Sequence, residues 1–378
     1  MFYLKNFRNY IFNFDAFLRN KVIMTYLKLI FLVLVAITIF ACESDTVKPI
    51  DPIDIVWEPA GSLPSMATVW GMTFVNNGNI WLTSYNDSEY KLSFYLSTNN
   101  GATWDEKYNV FERDSIYEIL GTHVNPVNGD MFRLSTTFYG QFSYHRELMK
   151  STNNGNSWET IIIMDTTNIR DLAMRGSIFT ASGEIYLGIL KIYGIGTTWE
   201  NTCYYSNDNG NTWVEKSKGL PDLWLTAVGK DGTLYARSSN GVYRSTDKGI
   251  TWLPSSNYNN WVASLTICDD GSIFGTVLNV GIVKSTDKGV NWTKLNTGSL
   301  ATAINGKIIY NSVTKDLFVV DDAGSIHKSD NLGKDWKLVE NEELPISNRL
   351  REINVNPKTG QMFVVTNTGV YRTKNYPK

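Results

Sequence analysis

Six short segments set a carboxylate or its amide between a serine and a glycine. They are "STNNGATW" ending at Trp104, "STNNGNSW" at Trp158, "SNDNGNTW" at Trp213, "STDKGITW" at Trp252, "STDKGVNW" at Trp292 and "SDNLGKDW" at Trp336. A recurring Asp is a candidate general acid or cation ligand. The series itself argues against both roles. Asn99, Asn153 and Asn331 stand where the other copies have Asp208, Asp247 and Asp287, which keeps a hydrogen-bonding oxygen and removes the charge. A tight turn needs only that oxygen. Asp, Asn and Ser side chains bond their own turn's backbone N–H groups, glycine supplies a positive φ, and the Trp then opens the returning strand and buries its ring between sheets. These six positions are therefore read as structural.

Other chemistry-bearing residues are sparse. His123, His145 and His327 stand singly, with no spacing for a metal or catalytic cluster. Cys203 and Cys268 fall in strand-like runs, "NTCYYS" and "SLTICDD", and read as buried, unpaired thiols. No metal and no cofactor is expected. The charge balance, 35 basic against 37 acidic residues, offers no basic excess for nucleic acid. Twelve Trp residues and 13% aromatics point to β-structure.

The motif recurs because a larger unit recurs. Around the fourth copy, "LTAVGKD", "TLYARSS", "GVYRST" and "TWLPS" read as four short strands joined by turns. A lone four-stranded sheet cannot bury both faces, whereas sheets set radially can, and that is a β-propeller. The pattern Ser-x-Asp/Asn-x-Gly-x-x-Trp resembles the Asp-box, or BNR repeat, of sialidases, sortilin-type receptors, xyloglucanases and the photosystem II assembly factors. That resemblance implies an all-β propeller with the boxes on its outer rim, away from any central site.

The ends of the chain set the blade count. "GVYRTKNYPK" matches a third strand and stops before any Trp, while "DIVWEPAGSLP" looks like an outer strand lacking its sheet. Trp57 then completes the last blade and removes an open edge. The Trp series 57, 104, 158, 213, 252, 292 and 336 gives seven blades over residues 55–378.

Residues 1–42 read as a lipoprotein signal peptide, with Met24 the better start. The apolar run Leu29–Ala41 is too short for a membrane span, which needs about 20 residues, and suits a secretory signal. "IFAC" resembles a lipobox, which implies a lipid on Cys42; the alternative is an uncleaved signal anchor. Residues 43–54 read as a flexible tether. The expected location is a bacterial cell envelope, at the outer membrane or cell surface, with the lipid as the membrane contact.

Function must break the repeat, so differences between blades locate it. The Trp spacings fall from 54 and 55 to 39 and 40. The excess lies in second-to-third-strand loops, "TSYNDSEYKLS", "STTFYGQFSYHREL" and "GILKIYGIGTTWENT". Side by side they would wall one side of the channel mouth; the alternative is tolerated surface insertion. Aligning the inner strands puts Trp70, Leu120, Arg175, Trp224, Ala263, Gly306 and Arg351 at equivalent points near that mouth. Glu118, Trp261 and Arg349 come two residues earlier. Trp faces stack on sugars or guanidinium groups, and Arg holds carboxylates or phosphates. Alternatively, the Trp rings plug the channel.

The expected function is a non-enzymatic binding or scaffold propeller, a monomer, recognising a glycan or an envelope protein. The alternative is a glycoside hydrolase of sialidase-like or xyloglucanase-like type. Sialidases carry an Arg-Ile-Pro motif that this chain lacks, so no family catalytic residue transfers, and Glu118 and Asp171 remain the inner-strand carboxylates to consider.

Overall fold

The computed structural model describes residues 53–376 apart from 62–67, 87, 90, 112–122, 139–143, 165–168, 194–197, 221, 256, 258, 298–299, 301–305, 341–343, 345–349, 351 and 367–368. Cys42 and the signal and tether residues before 53 lie outside them. The described residues form seven small antiparallel sheets in a ring, a seven-bladed β-propeller. Blade 3 runs Ile169–Phe179, Ile185–Tyr193, Thr198–Ser206 and Val214–Leu220, from the channel outward. Blade 4 follows as Trp224–Val228, Leu234–Ser238, Gly241–Ser245 and Leu253–Pro254. The ring closes as the chain ends imply. Trp57–Pro59 forms the outer strand of blade 7 and pairs antiparallel with Gly369–Thr373. Ile53 and Asp54, left in the tether by the sequence reading, add a parallel fifth strand to blade 6, opposite Val339 and Glu340. The N-terminal segment thus laces two blades.

Each blade buries both faces against its neighbours, which is why the second strands are mostly apolar rather than alternating. "IFGTV", "DLFVV" and "MFVVT" are buried at every position. The core accordingly divides into one apolar cluster per blade interface. Trp57, Trp104, Trp158, Trp213, Trp252, Trp292 and Trp336 each pack into the cluster shared with the preceding blade.

The repeated turn is held the same way in all six copies. The serine Oγ accepts from the glycine N–H, at 2.8 Å in Ser206–Gly210 and 2.9 Å in Ser245–Gly249. The Asp or Asn Oδ1 accepts from the N–H four residues on, at 2.9 Å for Asn99, Asn153, Asp247, Asp287 and Asn331 and 2.8 Å for Asp208. Exchanging Asp for Asn reverses only the remaining bond. Asp208 Oδ2 accepts from Thr212 at 2.6 Å, whereas Asn99 Nδ2 donates to Thr103 at 2.8 Å. These bonds hold the Asp208 carboxyl down to about 2, Thr212 contributing most, so it is ionised near neutral pH.

The residue between the Asp/Asn and the glycine also has positive φ, and in five of the six copies it ties its blade to the one before. Asn209 Nδ2 donates to Asp130 at 2.7 Å, Lys248 meets Glu184 at 2.7 Å, and Lys288 meets Asp231 at 2.7 Å. Leu332 makes the equivalent link with apolar contact. In four copies, at Gly101, Gly210, Gly289 and Gly333, the glycine itself lies against the preceding blade's second-strand aromatic. A Cβ on Gly210 would stand 2.5 Å from Phe132, one on Gly333 2.9 Å from Phe274, and one on Gly101 3.0 Å from Phe363.

Gly210→Ala therefore combines backbone strain with overpacking, and we expect a loss of about 3 kcal/mol in urea unfolding. Gly183→Ala shares the positive φ but meets nothing within 4 Å, and its loss should stay near ~1 kcal/mol. Equal losses for the two would show that the aromatic contact is irrelevant.

Candidate functional site

Much of the sequence excess in blades 1–3 is, among the described residues, built as strand. Their second strands have 7, 8 and 9 residues, against 5 in blades 4–7. The hairpin ladders run on to Asn86↔Lys91, Phe138↔Tyr144 and Tyr193↔Thr198. Blade 4 closes at Ser238↔Gly241 and blade 5 at Val277↔Gly281. The expectation of three long loops is corrected accordingly: paired backbone satisfies its own hydrogen bonds and stands up as hairpins. The four extra residues of blade 3 add roughly 13 Å of height.

At the foot of that hairpin the structure brings together three of the residues singled out in sequence. Arg175 lies on the inner strand of blade 3, where a bulge between Met174 and Ser177 breaks the register. Its guanidinium stacks over the Trp224 ring of blade 4, 4.2 Å from the centroid, and faces Asp222 at 3.7 Å. Trp224 pairs across the sheet with Arg237. Arg237 lies 5.7 Å from both the Trp224 and Trp261 ring centroids and donates to the backbone carbonyl of Ala263 in blade 5. The result is a row, Arg175, Trp224, Arg237, Trp261, running across three blades.

Burial pulls the Arg237 pKa down, and burial does the same to Arg175 against the opposing pull of Asp222. Both guanidiniums stay charged near neutral pH. Stacking on Trp offsets part of the cost of holding two cations in a half-buried place. Two donors in the row, Arg175 Nε and Trp224 Nε1, are buried with no hydrogen-bond partner among the described residues.

Arg237 was missed in sequence because only inner strands were compared, and it sits on a second strand. The charged residue in "LYARS", a strand otherwise apolar or small, was the available signal. Ala263 occupies a bulge between Val262 and Ser264 and contributes a carbonyl rather than a side chain. Trp70 sits at a bulge of the blade 1 inner strand, between Val69 and Gly71, but its side chain lies outside the described residues. The side chain of Asp171 lies outside them too, as do Glu118, Leu120, Arg349 and Arg351.

A second suggestive pair is Ser177 and His123, whose Oγ and Nδ1 are 2.8 Å apart between the inner strands of blades 3 and 2. No carboxylate orients the imidazole in any described contact, and burial lowers its pKa to about 4. Among the described residues no cluster of His, Cys, Asp and Glu could hold a metal ion. Cys203 and Cys268 are buried free thiols, with burial pushing each up to about 12, so neither is a ready nucleophile.

No family model matches the chain, and no curated protein matches it. Solved structures do. A structure described as YCF48 bound to D1 peptide aligns with TM-score 0.58 and 17% identity, covering 87% of this chain and 98% of that one. YCF48 from Cyanidioschyzon merolae aligns with TM-score 0.53 and 13% identity, over 84% of this chain and 98% of that one. The GH74 xyloglucanase from Xanthomonas campestris aligns with TM-score 0.56 and 13% identity over 84% of this chain, which spans 53% of the enzyme. At these identities the likeness is one of fold.

The half-buried His123 makes a pH prediction. An unfolded chain protonates His123 near 6.5 and the folded one near 4. Between those values the unfolded state binds more protons, so stability falls as pH falls, by up to roughly 3 kcal/mol. Asp231, held near 2 chiefly by Lys288, loses its contribution only at lower pH, as the pH falls from about 4, where the unfolded chain protonates, toward 2. Urea midpoints measured from pH 7 to 4.5 should drop for the natural chain and stay nearly level for His123→Gln. A drop that persists unchanged in the variant would place the titration elsewhere.

Proposed function

We propose that this chain is a non-enzymatic binding propeller that grips a protein or glycan partner at the face where blades 1–3 rise. The observation that carries the reading is the coincidence of two breaks in the repeat. The height step falls between blades 3 and 4, and the Arg–Trp row crosses the same boundary. Low blades repeat because the fold needs them; tall hairpins beside stacked guanidinium groups serve no folding requirement that the other blades share. A solved propeller of matching length is described with a peptide bound, which supports a protein partner by analogy of fold. The row also bears on the choice of ligand. The Trp224 ring is covered by Arg175 and flanked by Arg237, so it is poorly placed to stack on a sugar.

On this reading the chain is held in a bacterial cell envelope by a lipid on Cys42, working as a monomer without a cofactor. Partition into a detergent phase, abolished by Cys42→Ser, tests the anchor.

The second reading, a glycoside hydrolase, draws on the GH74 likeness. Hydrolysis requires two carboxylates about 5–10 Å apart across one bond. In the described part of the row the carboxylate is Asp222, and it faces Arg175.

The deciding experiment incubates the purified chain with sialylated and plant glycans and reads released sugars by mass spectrometry. We expect no release above a heat-treated control. Release would overturn the binding reading and direct attention to the carboxylates around Glu118 and Asp171.

A further inference from the structure

The second strands of all seven blades carry the same ladder, so one position can be compared around the ring. In blade 4 the turn serine Ser245 pairs with Leu234, and Arg237 stands three residues further up. At the equivalent position the other blades carry Thr83, Leu134, Gly188, Thr276, Val320 and Val365. None of these is charged. Thr276 shows what the position does for the ring, since its Oγ1 donates to the Gly306 carbonyl of blade 6 at 2.8 Å. Arg237 donates Nη1 to the Ala263 carbonyl of blade 5. Ala263 and Gly306 align with each other in sequence, so the two blades make one bond by different means. A hydroxyl suffices for it. The guanidinium brings a full charge and further N–H donors that the ring does not require.

That charge has no counter-ion. Among the described residues no carboxylate contacts Arg237, whose neighbours are the Ala263 carbonyl and the rings of Trp224 and Trp261. Burial lowers its pKa with nothing opposing, whereas Asp222 opposes the same effect at Arg175. A half-buried cation without a counter-ion is costly, and threonine at this position would have avoided the cost. The side chain lies on the face that turns toward blade 5, above Tyr235. Blades 4 and 5 are both low there, closing at Ser238↔Gly241 and Val277↔Gly281. Arg237 is accordingly part-exposed, and, unlike Arg175 Nε, none of its donors is sealed away without a partner.

We propose that Arg237 anchors a carboxylate subsite in the crevice between blades 4 and 5, flanked by Trp224 and Trp261, which takes an Asp or Glu side chain of a protein partner. The inference rests on the binding reading above and names the chemistry at one point of it. The charge count selects the ligand. With Nη1 on Ala263, the Nε and Nη2 edge offers two parallel donors, which match the two oxygens of a monoanionic carboxylate. A phosphate dianion calls for a second cation, and the other guanidinium of the row, Arg175, already faces Asp222. The two rings keep water from the pair and so strengthen it. A uronic acid carries the same group on a sugar, but the Trp224 face that would stack on that sugar is covered by Arg175.

The test uses ligand-observed NMR on the full chain in detergent. The probes are blocked tripeptides that differ only in a central Glu, Gln or phosphoserine, together with glucuronate. The Glu peptide should bind about tenfold or more tighter than the Gln peptide, the margin of a charge-assisted hydrogen bond. Arg237→Thr should erase that margin and keep the thermal midpoint of the natural chain, because threonine can make the bond that Thr276 makes. Arg237→Lys, which keeps the charge and loses the fork, should retain part of the margin. A lowered midpoint for Arg237→Thr would show that the ring needs the guanidinium itself and would overturn the inference. A Glu margin that survives Arg237→Thr, or no margin in the natural chain, would overturn the subsite and leave the binding reading intact. Phosphoserine or glucuronate bound more tightly than Glu through Arg237 would overturn the ligand class. The binding reading fails separately, by sugar release in the assay above.

Discussion

The close approach of the turn glycines Gly101, Gly210, Gly289 and Gly333 to an aromatic ring of the preceding blade is the contact on which the ring depends. Phe132, Phe274 and Phe363 occupy the second position of their strands and press on Gly210, Gly333 and Gly101. A side chain at the glycine would push the blades apart. With glycine there, the adjacent Trp can drop its ring into the same interface. The serine and Asp/Asn hydrogen bonds hold the turn so that glycine and Trp arrive together. Each interface is thus a packed core of its own, and the stability of the ring is close to a sum of neighbour terms. Closure makes that sum complete, since Trp57 fills for blade 7 the role that other blades fill from within their own repeat.

Because neighbour contacts are made low in each blade, the upper hairpins are free to vary. Blades 4–7 have second strands of five residues, while those of blades 1–3 extend to 7, 8 and 9. Extension brings a cost, since a tall hairpin beside a short one has a side with no neighbour. Blade 3 meets that condition with Ile192 and Trp199 on the unneighboured side and with the Lys191–Glu215 ion pair, Tyr193 and Tyr204 on the other. The Arg–Trp row at its foot turns three separate blades into one surface. The central reading of the molecule follows: a uniform lower ring carries an asymmetric upper face, and function belongs to the asymmetry.

Much of the ring was legible in sequence because the turn requires particular atoms. Only glycine fits against Phe132, only a short polar side chain reaches the turn amides, and Trp fills the interface. The motif therefore repeats in letters as well as in space. The completion of blade 7 by Trp57 was legible for the same reason. The candidate site was less so. Arg175, Trp224 and Trp261 were found by aligning inner strands, but bulges fall at different heights in different blades, at Trp70 and Ala263 in blades 1 and 5 and at Thr226 in blade 4. A one-residue bulge reverses which way a side chain points, so equivalence in sequence is not equivalence in space. Arg237 came from a strand outside that alignment. The extended hairpins were taken for loops because Gly, Thr and Asn in "GILKIYGIGTTWENT" read as turn residues, whereas pairing with a neighbouring strand decides their conformation.

The claim that function lies at the step between blades 3 and 4 is tested most directly by contact mapping in the cell. A photoreactive residue placed at position 199, and in separate chains at the exposed rim positions Leu253 and Leu338, would be activated in the native envelope and the adducts resolved by mass. The account predicts a discrete protein adduct from position 199 and none from the rim. Discrete adducts from 253 or 338, with position 199 unreacted, would contradict it and move the working surface to the outer edge of the blades.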